Sequence, residues 1–145
     1  MILGLDTSAL LQRYTGGPYS AAVNTAMAQA PQWAVSDLTR TELVMALHRV
    51  SPDPVTAAAL TAAARADLDA MLIVPLDSRC LGRAVELGSL YGLRTVDAVH
   101  LAALDRLPRP LQLATLDARQ IPAAVALEME LVTPTEGAGE FPLPT

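Results

Sequence analysis

Short apolar runs alternate along the chain with longer segments of helical periodicity. The short runs are bounded by turn formers or helix starts, as buried strands are, and their alternation with helices is typical of βα units on a parallel sheet. The pattern therefore predicts an α/β fold. The predicted strands are Ile2 to Leu5, Gln32 to Ser36, Met71 to Leu76, Leu111 to Leu116 and Leu131 to Thr133.

Helical segments lie between these strands, and Gly and Pro residues punctuate their ends. Pro122 falls in the first turn of the last helix, where Pro is tolerated. Residues 134–145 are rich in Pro and Gly and lack periodicity, so we expect one domain over residues 1–133 followed by a C-terminal tail. The predicted helices are Ala9 to Tyr14, Tyr19 to Ala30, Arg40 to Val50, Pro54 to Ala70, Ser78 to Tyr91, Val96 to Leu107 and Ala118 to Met129.

The composition supports a packed core and excludes several kinds of chemistry. Of 145 residues, 52% are hydrophobic and 17% charged, which rules out wholesale disorder. All ten basic residues are Arg, so enzymes that normally need a Lys at the reacting centre, such as Walker-type nucleotide binders and Schiff-base enzymes, do not fit. Cys80 is the sole cysteine and is expected to be a packing residue.

Charge and hydropathy limit the kinds of partner and the cellular location that we expect. A net charge of −5 argues against a broad basic face for nucleic acid, so something else would have to neutralise phosphates. No signal peptide or membrane span is evident, and we expect a soluble, cytoplasmic protein. The apolar, charge-poor composition also fits a protein that hides surface in a homodimer or complex.

Aspartates follow four of the predicted strands. They are Asp6, Asp37, Asp77 and Asp117, and each precedes a helix. In an open parallel sheet the ligand site forms at the carboxyl ends of the strands, which makes these residues candidates for a site. Asp is equally a preferred helix N-cap, and spacing alone does not choose between the two roles.

Two further acids have the same ambiguity. Glu42 ends Thr39-Arg40-Thr41-Glu42, which fits a capping box. Asp97 lies in the first turn of the helix that follows Thr95, where negative charge is favourable without any chemistry.

Four motifs around these acids occur in order along the chain. They are Leu3 to Leu10 with Asp6, Ser36 to Leu43 with Glu42, Leu93 to Ala103 with an Asp97-Ala98 pair opening an apolar helix, and Leu113 to Asp117 with Thr115-x-Asp117. Together they resemble the PIN domain nucleases, and most closely the VapC-like toxins of prokaryotic toxin–antitoxin pairs. The resemblance covers about residues 1 to 133.

This resemblance implies a three-layer α/β/α fold around a parallel sheet of order 3-2-1-4-5. It also implies one cluster of catalytic and metal-binding acids, formed by Asp6, Glu42, Asp97 and Asp117. Clustered carboxylates repel one another, and their hard oxygen atoms favour Mg²⁺ or Mn²⁺, which suits hydrolysis of a phosphodiester bond. On this interpretation Asp77 only caps a helix, and Asp37 is a minor candidate.

Residues near the presumed cluster are candidates for supporting roles. Thr115 and Ser8 could orient a metal-bound water molecule or accept a hydrogen bond from a backbone amide, and we favour the second role for Ser8. His100 lies one turn after Asp97 and is expected to be a hydrogen-bonded core histidine rather than a catalytic one. Candidate phosphate contacts are Arg94, Arg13, Arg40 and Arg119, with solvated surface arginines as the alternative.

The resemblance implies an endoribonuclease toxin that acts on RNA and is silenced by a cognate antitoxin protein. Two alternatives remain open at this point. One is a catalytically idle binding or scaffold protein whose acids only cap helices, and the other is a PIN nuclease that processes RNA without a toxin role.

Overall fold

The computed structural model describes residues 1–132, and the tail over residues 134–145 lies outside them. Five strands and seven helices alternate along this part of the chain, with a short 3-10 turn at Ala118–Gln120 before the last helix. The elements are β1 (Ile2–Leu5), α1 (Thr7–Thr15), α2 (Ser20–Gln29), β2 (Gln32–Ser36), α3 (Asp37–Val50), α4 (Pro54–Asp69), β3 (Leu72–Val74), α5 (Ser78–Tyr91), α6 (Thr95–Asp105), β4 (Leu111–Ala114), α7 (Ile121–Ala126) and β5 (Met129–Leu131).

The strands form one parallel sheet in the order β3-β2-β1-β4-β5. This confirms the predicted α/β class and the sheet order implied by the resemblance. In register, Leu5 of β1 lies beside Ala114 of β4. The residues that follow these two central strands therefore leave the sheet at the same edge.

Helices cover both faces of the sheet and form two apolar cores. Leu3 and Leu5 of β1 face a core shared with α1 to α4, whereas β4 packs mainly against α5, α6 and α7. Between the two leucines, Gly4 faces α6, where a Cβ atom would lie 3.0 Å from Leu104 Cδ1. The absence of a side chain at Gly4 lets α6 lie close to the central strand.

Helix α6 is the most deeply buried helix of the described chain. Every residue from Asp97 to Leu104 is buried, including the polar Asp97 and His100. Burying polar side chains is costly unless they are hydrogen-bonded, so these two residues need partners from neighbouring elements. Among residues 1–132, no helix has the length and apolar character needed to cross a membrane.

Two element boundaries differ from the sequence prediction in a way that matters. Helix α3 begins at Asp37 rather than Arg40, which places Glu42 inside the helix. The last predicted helix ends at Ala126, and Glu128 adopts a left-handed backbone (φ 59°) that turns the chain into β5 two residues earlier than predicted. Thr133, the predicted end of this strand, lies outside the described residues.

Candidate active site

The neighbouring ends of β1 and β4 bring Asp6 and Asp117 to one edge of the sheet. The backbone amide of Asp6 donates to the carbonyl of Ala114 at 2.9 Å, which extends the pairing of the two strands by one residue. A cleft of about 550 Å³ opens there, and Asp6, Glu42 and Asp97 line it. Asp117 borders this cleft through its contact with Arg94, another lining residue.

Asp6 occupies the N-cap position of α1 but its side chain does not cap the helix. Its Oδ2 atom instead accepts hydrogen bonds from Ser8 Oγ at 2.6 Å and Thr115 Oγ1 at 3.2 Å. The Ser8 hydroxyl also accepts from the backbone amide of Leu116 at 3.1 Å, as expected, and Thr115 Oγ1 accepts from the amide of Asp117 at 3.0 Å. These bonds tie Asp6, which is only 4% exposed, to the end of β4.

Asp97 and Asp117 share one arginine. Arg94 Nε lies 2.8 Å from Asp97 Oδ2, and its Nη2 lies 3.4 Å from Asp117 Oδ2. Burial raises the pKa of Asp97, the hydrogen bond from Arg94 lowers it, and the nearby Asp117 carboxyl raises it again, with a net pKa above the usual value. Ionising both Asp97 and Asp117 is therefore costly without a cation in addition to Arg94.

The surroundings of these two acids differ. Gln120, fully buried, donates from Nε2 to Asp97 Oδ1 at 3.4 Å, while its own Oε1 has no hydrogen-bond partner. Asp117 accepts from the amide of Arg119 at 3.0 Å and so caps the 3-10 turn. The capping role is therefore real for Asp117, although its second oxygen faces Arg94.

Glu42 comes from the second turn of α3, and the predicted capping box is wrong because the helix starts at Asp37. Its Oε1 atom accepts hydrogen bonds from Thr7 Oγ1 at 2.9 Å and from His100 Nε2. Burial would raise the pKa of Glu42, but the hydrogen bond and charge of His100 and the bond from Thr7 bring it below its usual value. Glu42 thus lies in the cleft as a stabilised carboxylate.

His100 is a hydrogen-bonded core histidine, as predicted. Its ring is 1% exposed, and Nδ1 lies 2.6 Å from Ser36 Oγ at the end of β2. Burial lowers the pKa of the imidazole, whereas the bond to Glu42 and the charges of Asp6, Glu42 and Asp97 raise it, with a net pKa above the usual value.

Two arginines supply positive charge to the cleft. Arg94 was a candidate from sequence, but Arg49 was missed. It lies seven residues after Glu42, which places both on one face of α3, and its charge helps to lower the pKa of Glu42. Helical spacing from a candidate acid was the signal that could have found Arg49.

The other candidate arginines lie beside aspartates of the chain itself. Arg13 pairs with Asp67 at 2.9 Å and stacks over the Trp33 ring, 5.6 Å from its centroid. Arg40 pairs with Asp37 at 2.6 Å, and Arg119 Nε lies 4.0 Å from Asp117. Arg13 therefore stabilises the packing of α1 against α4 and does not reach the acids.

Asp77 caps α5 by accepting from the amide of Cys80 at 2.9 Å, which confirms its predicted role.

A larger groove of about 820 Å³ lies along α3 and α4 but contains none of the four candidate acids. Its charged side chains, Arg40, Arg65, Asp37 and Asp69, are of mixed sign. We therefore place the chemistry in the smaller cleft, where buried carboxylates converge.

The fold closely matches those of solved toxin–antitoxin proteins. A toxin–antitoxin complex from Klebsiella pneumoniae matches with a TM-score of 0.68 and 23% identity over 92% of this chain and 98% of that one. FitAcB from Neisseria gonorrhoeae matches with a TM-score of 0.65 and 17% identity over 92% and 98% of the two chains. VapBC2 from Rickettsia felis, bound to a promoter DNA fragment, matches with a TM-score of 0.64 and 15% identity over 90% and 97%.

At these identities the structural likeness establishes the fold alone. No sequence match is found among curated proteins. The sequence does match the PIN domain family, over residues 4–120, a span that contains all four candidate acids and Gln120. PIN domains are generally nucleases and typically depend on divalent metal ions. Because the match covers most of the chain and the sheet order agrees with it, this protein belongs to the PIN domain family.

Proposed function

We propose that the chain is a metal-dependent endoribonuclease that hydrolyses RNA phosphodiester bonds and acts as the toxin of a toxin–antitoxin pair. The observation that carries this proposal is the state of Asp6. Although it stands at a helix N-cap, its buried carboxylate is held by Ser8 and Thr115 and leaves the helix uncapped. A purely structural acid at this position would bond to the free backbone amides of α1 instead.

The donor set fits a hard divalent cation. Asp6 and Asp97 are buried carboxylates beside Asp117, and the orphaned Oε1 of Gln120 adds an unpaired buried acceptor in contact with Asp97. Within residues 1–132, however, no three acidic, imidazole or thiol side chains lie close enough to enclose an ion as they stand. The arrangement is still compatible with Mg²⁺ or Mn²⁺, since Mg²⁺ is commonly bound through one or two carboxylates, with waters and substrate phosphate oxygens as the remaining ligands.

The residues that would hold the ion are Asp6, Asp97 and Asp117, with Glu42 lining the same cleft. A bound divalent cation would supply activation of the attacking water and neutralise charge on the phosphate. The carboxylates would orient that water. Arg94, whose side chain is 64% exposed, can leave Asp97 and Asp117 to contact a phosphate without disturbing the core.

The acidic net charge is compatible with RNA binding at such a site. The cleft combines Arg49 and Arg94 with acids that bind a cation, so positive potential is local rather than spread over a face. Among residues 1–132, no aromatic side chain lines the cleft, which argues against base stacking by these residues as the main contact. Recognition would then depend on RNA shape and backbone.

The nuclease is tested by incubating the purified chain with a mixed pool of tRNA and structured RNA in Mg²⁺, in Mn²⁺ and in EDTA. We expect metal-dependent cleavage that Asp97→Asn abolishes. Glu130→Gln removes an exposed carboxylate of β5 and serves as the charge-matched control. Cleavage that persists in EDTA or in Asp97→Asn would overturn the proposal, and a DNA pool of the same sequences tests the preference for RNA.

The proposed toxin role is supported by the structural neighbours, which are toxin–antitoxin complexes. Induced expression of the chain in a bacterial host should arrest growth, whereas Asp97→Asn should not. Co-expression of the antitoxin partner should restore growth and block cleavage in vitro. A fully active nuclease that leaves growth unchanged would instead indicate a role in RNA processing.

We also propose that the chain forms a homodimer. Helices α5 and α6 expose apolar side chains, among them Leu81, Val85, Leu90 and Val96, next to an apolar groove of about 410 Å³. Light scattering at micromolar concentration should give twice the chain mass of 15.3 kDa, and Val85→Glu, 70% exposed in one chain, should lower it. A stable monomer of the unchanged sequence would contradict the dimer.

A further inference from the structure

The Glu42–His100 contact is unusual because a fully buried imidazole supports a carboxylate that lines the cleft. The ring lies in the middle of α6, and its polar atoms reach two other elements, Ser36 at the end of β2 and Glu42 in α3. These bonds offset the cost of burying the imidazole. They also connect the sheet edge to the wall of the cleft that carries Glu42.

The two donors to Glu42 bind the same oxygen atom. Thr7 Oγ1 and His100 Nε2 both contact Oε1, and the other oxygen, Oε2, has no hydrogen-bond partner within the described chain. A carboxylate is only an acceptor, so His100 must carry a hydrogen on Nε2 to make this contact. The Ser36 hydroxyl can donate or accept, and it therefore suits whichever form Nδ1 takes.

A glutamate side chain has three rotatable bonds and would otherwise sample many positions in an open cleft. Fixing Oε1 removes most of this freedom and leaves Oε2 available on a side chain that lines the cleft and is 32% exposed. Groups that orient an active-site ligand in this way usually affect metal affinity or activity without contacting the substrate.

We propose that His100 is a positioning residue that fixes Glu42 through Nε2, with Ser36 holding the ring at Nδ1, so that Glu42 presents Oε2 to the divalent cation of the cleft. This inference rests on the proposed nuclease function. Thr7 is the second anchor of the same oxygen.

A pair of substitutions separates this role from simple packing. His100→Gln places an amide donor near the former Nε2 and keeps the bond to Glu42, whereas His100→Asn places one near Nδ1 and keeps only Ser36. Both remove the ring and leave a polar side chain of similar size. His48→Gln, an exposed histidine bonded to Val44 of its own helix, is the control.

Two experiments are made on each variant. Calorimetry without RNA gives the Mn²⁺ affinity, and RNA cleavage gives kcat and KM. We expect His100→Asn to lose about tenfold or more in Mn²⁺ affinity or kcat with KM little changed, while His100→Gln stays within about threefold of the unchanged chain. Equal losses in both variants, or no loss in His100→Asn, would overturn the inference.

Ser36→Ala provides a milder test should His100→Asn fail to fold, because it leaves the ring in place and removes only its Nδ1 partner. A drop in kcat or Mn²⁺ affinity that His100→Gln does not show supports positioning, and unchanged values overturn it. If the unchanged chain neither binds Mn²⁺ nor cleaves RNA, the proposed function fails and the inference falls with it. An active unchanged chain with an equally active His100→Asn rejects the inference alone.

Discussion

Two buried threonines show how much a hydroxyl depends on its partners. Thr115 Oγ1 donates to Asp6 and accepts from the amide of Asp117, whereas Thr61 Oγ1 in α4 is buried with no partner. We expect Thr115→Val to lower the free energy of unfolding by about 1–3 kcal/mol, because it removes one of the two donors to Asp6 and leaves the backbone amide of Asp117 without its acceptor. Thr61→Val should be neutral or stabilising, since it removes only an unpaired polar atom.

Urea denaturation of both variants at constant slope would measure this difference. Val and Thr have similar shape and similar helix propensity, so Thr61→Val controls for the loss of a hydroxyl as such. Equal destabilisation by the two substitutions would show that Thr115 does not hold Asp6.

Asp77 makes a pH-dependent contribution to stability through its cap. The backbone hydrogen bond from Cys80 is the largest cause of its lowered pKa. Burial opposes this effect, and the charge and hydrogen bond of Arg106 add to it. A lowered pKa means that the stabilisation is present above the unfolded value of about 3.9 and is lost as pH falls through the lower folded value. Asp77→Asn keeps an acceptor for the Cys80 amide without ionising, and its thermal midpoint should therefore fall less between pH 5 and pH 2.5 than that of the unchanged chain.

Sequence reasoning could not decide which acids cap helices, and the structure shows why. Asp6 and Asp77 both occupy N-cap positions with extended backbones, at φ −76° and −83°. They differ because Thr115, 109 residues away in sequence, and Ser8 bind the Asp6 carboxylate. A local pattern carries no information about such a distant partner.

At the level of elements, the contact between β1 and α6 sets the position of the site. A Cβ at Gly4 would lie 3.0 Å from Leu104 Cδ1 and 3.2 Å from the backbone oxygen of Gln112. Because that oxygen belongs to the neighbouring strand and Leu104 is 1% exposed, the added methyl group of Gly4→Ala must push the packed Leu104 side chain aside and should cost about 1–3 kcal/mol. Since α6 carries Asp97 and His100, the variant should also cleave RNA more slowly.

Gly82 provides the matched control in α5. It is exposed, and a Cβ there would have no neighbour within 4 Å. Gly82→Ala should raise the free energy of unfolding by about 0.5–1 kcal/mol through helix propensity alone. Thermal unfolding should show a loss of stability for Gly4→Ala and a gain for Gly82→Ala. If Gly4→Ala leaves the stability unchanged, the contact between β1 and α6 is not tightly packed at this position.

Hydrophobic periodicity predicted the elements better than their arrangement. The bounds of β1, β2 and α5 agree with the pattern, because buried strands and one amphipathic helix leave clear signals. The order of the strands came from the family resemblance, since periodicity does not say which strands are neighbours. The start of α3 was missed because Asp37 and Leu38 read equally well as the end of a strand loop.

For the molecule as a whole, charge is the property that links stability to the proposed function. The chain carries a net charge of −5, and the cleft gathers several acids. Burial is the largest cause of the raised pKa of Asp97, and repulsion from the neighbouring Asp117 carboxyl adds to it. The net charge argued against a broad basic face, but only the fold could show that Arg49 and Arg94 line the cleft.

A divalent cation that relieves this repulsion should stabilise the folded chain. A ligand bound only by the folded state adds about 2.7 kcal/mol at one hundred times its Kd. For a domain of this size that corresponds to a rise in Tm of roughly 5–10 °C. We therefore expect Mn²⁺ or Mg²⁺ to raise the Tm of the unchanged chain and of Glu130→Gln by similar amounts, and to have much less effect on Asp97→Asn.

Calorimetry against NaCl of equal ionic strength separates binding from screening. A similar rise in Asp97→Asn would place the ion elsewhere, and no rise in the unchanged chain would favour an idle PIN fold whose acids serve only its structure.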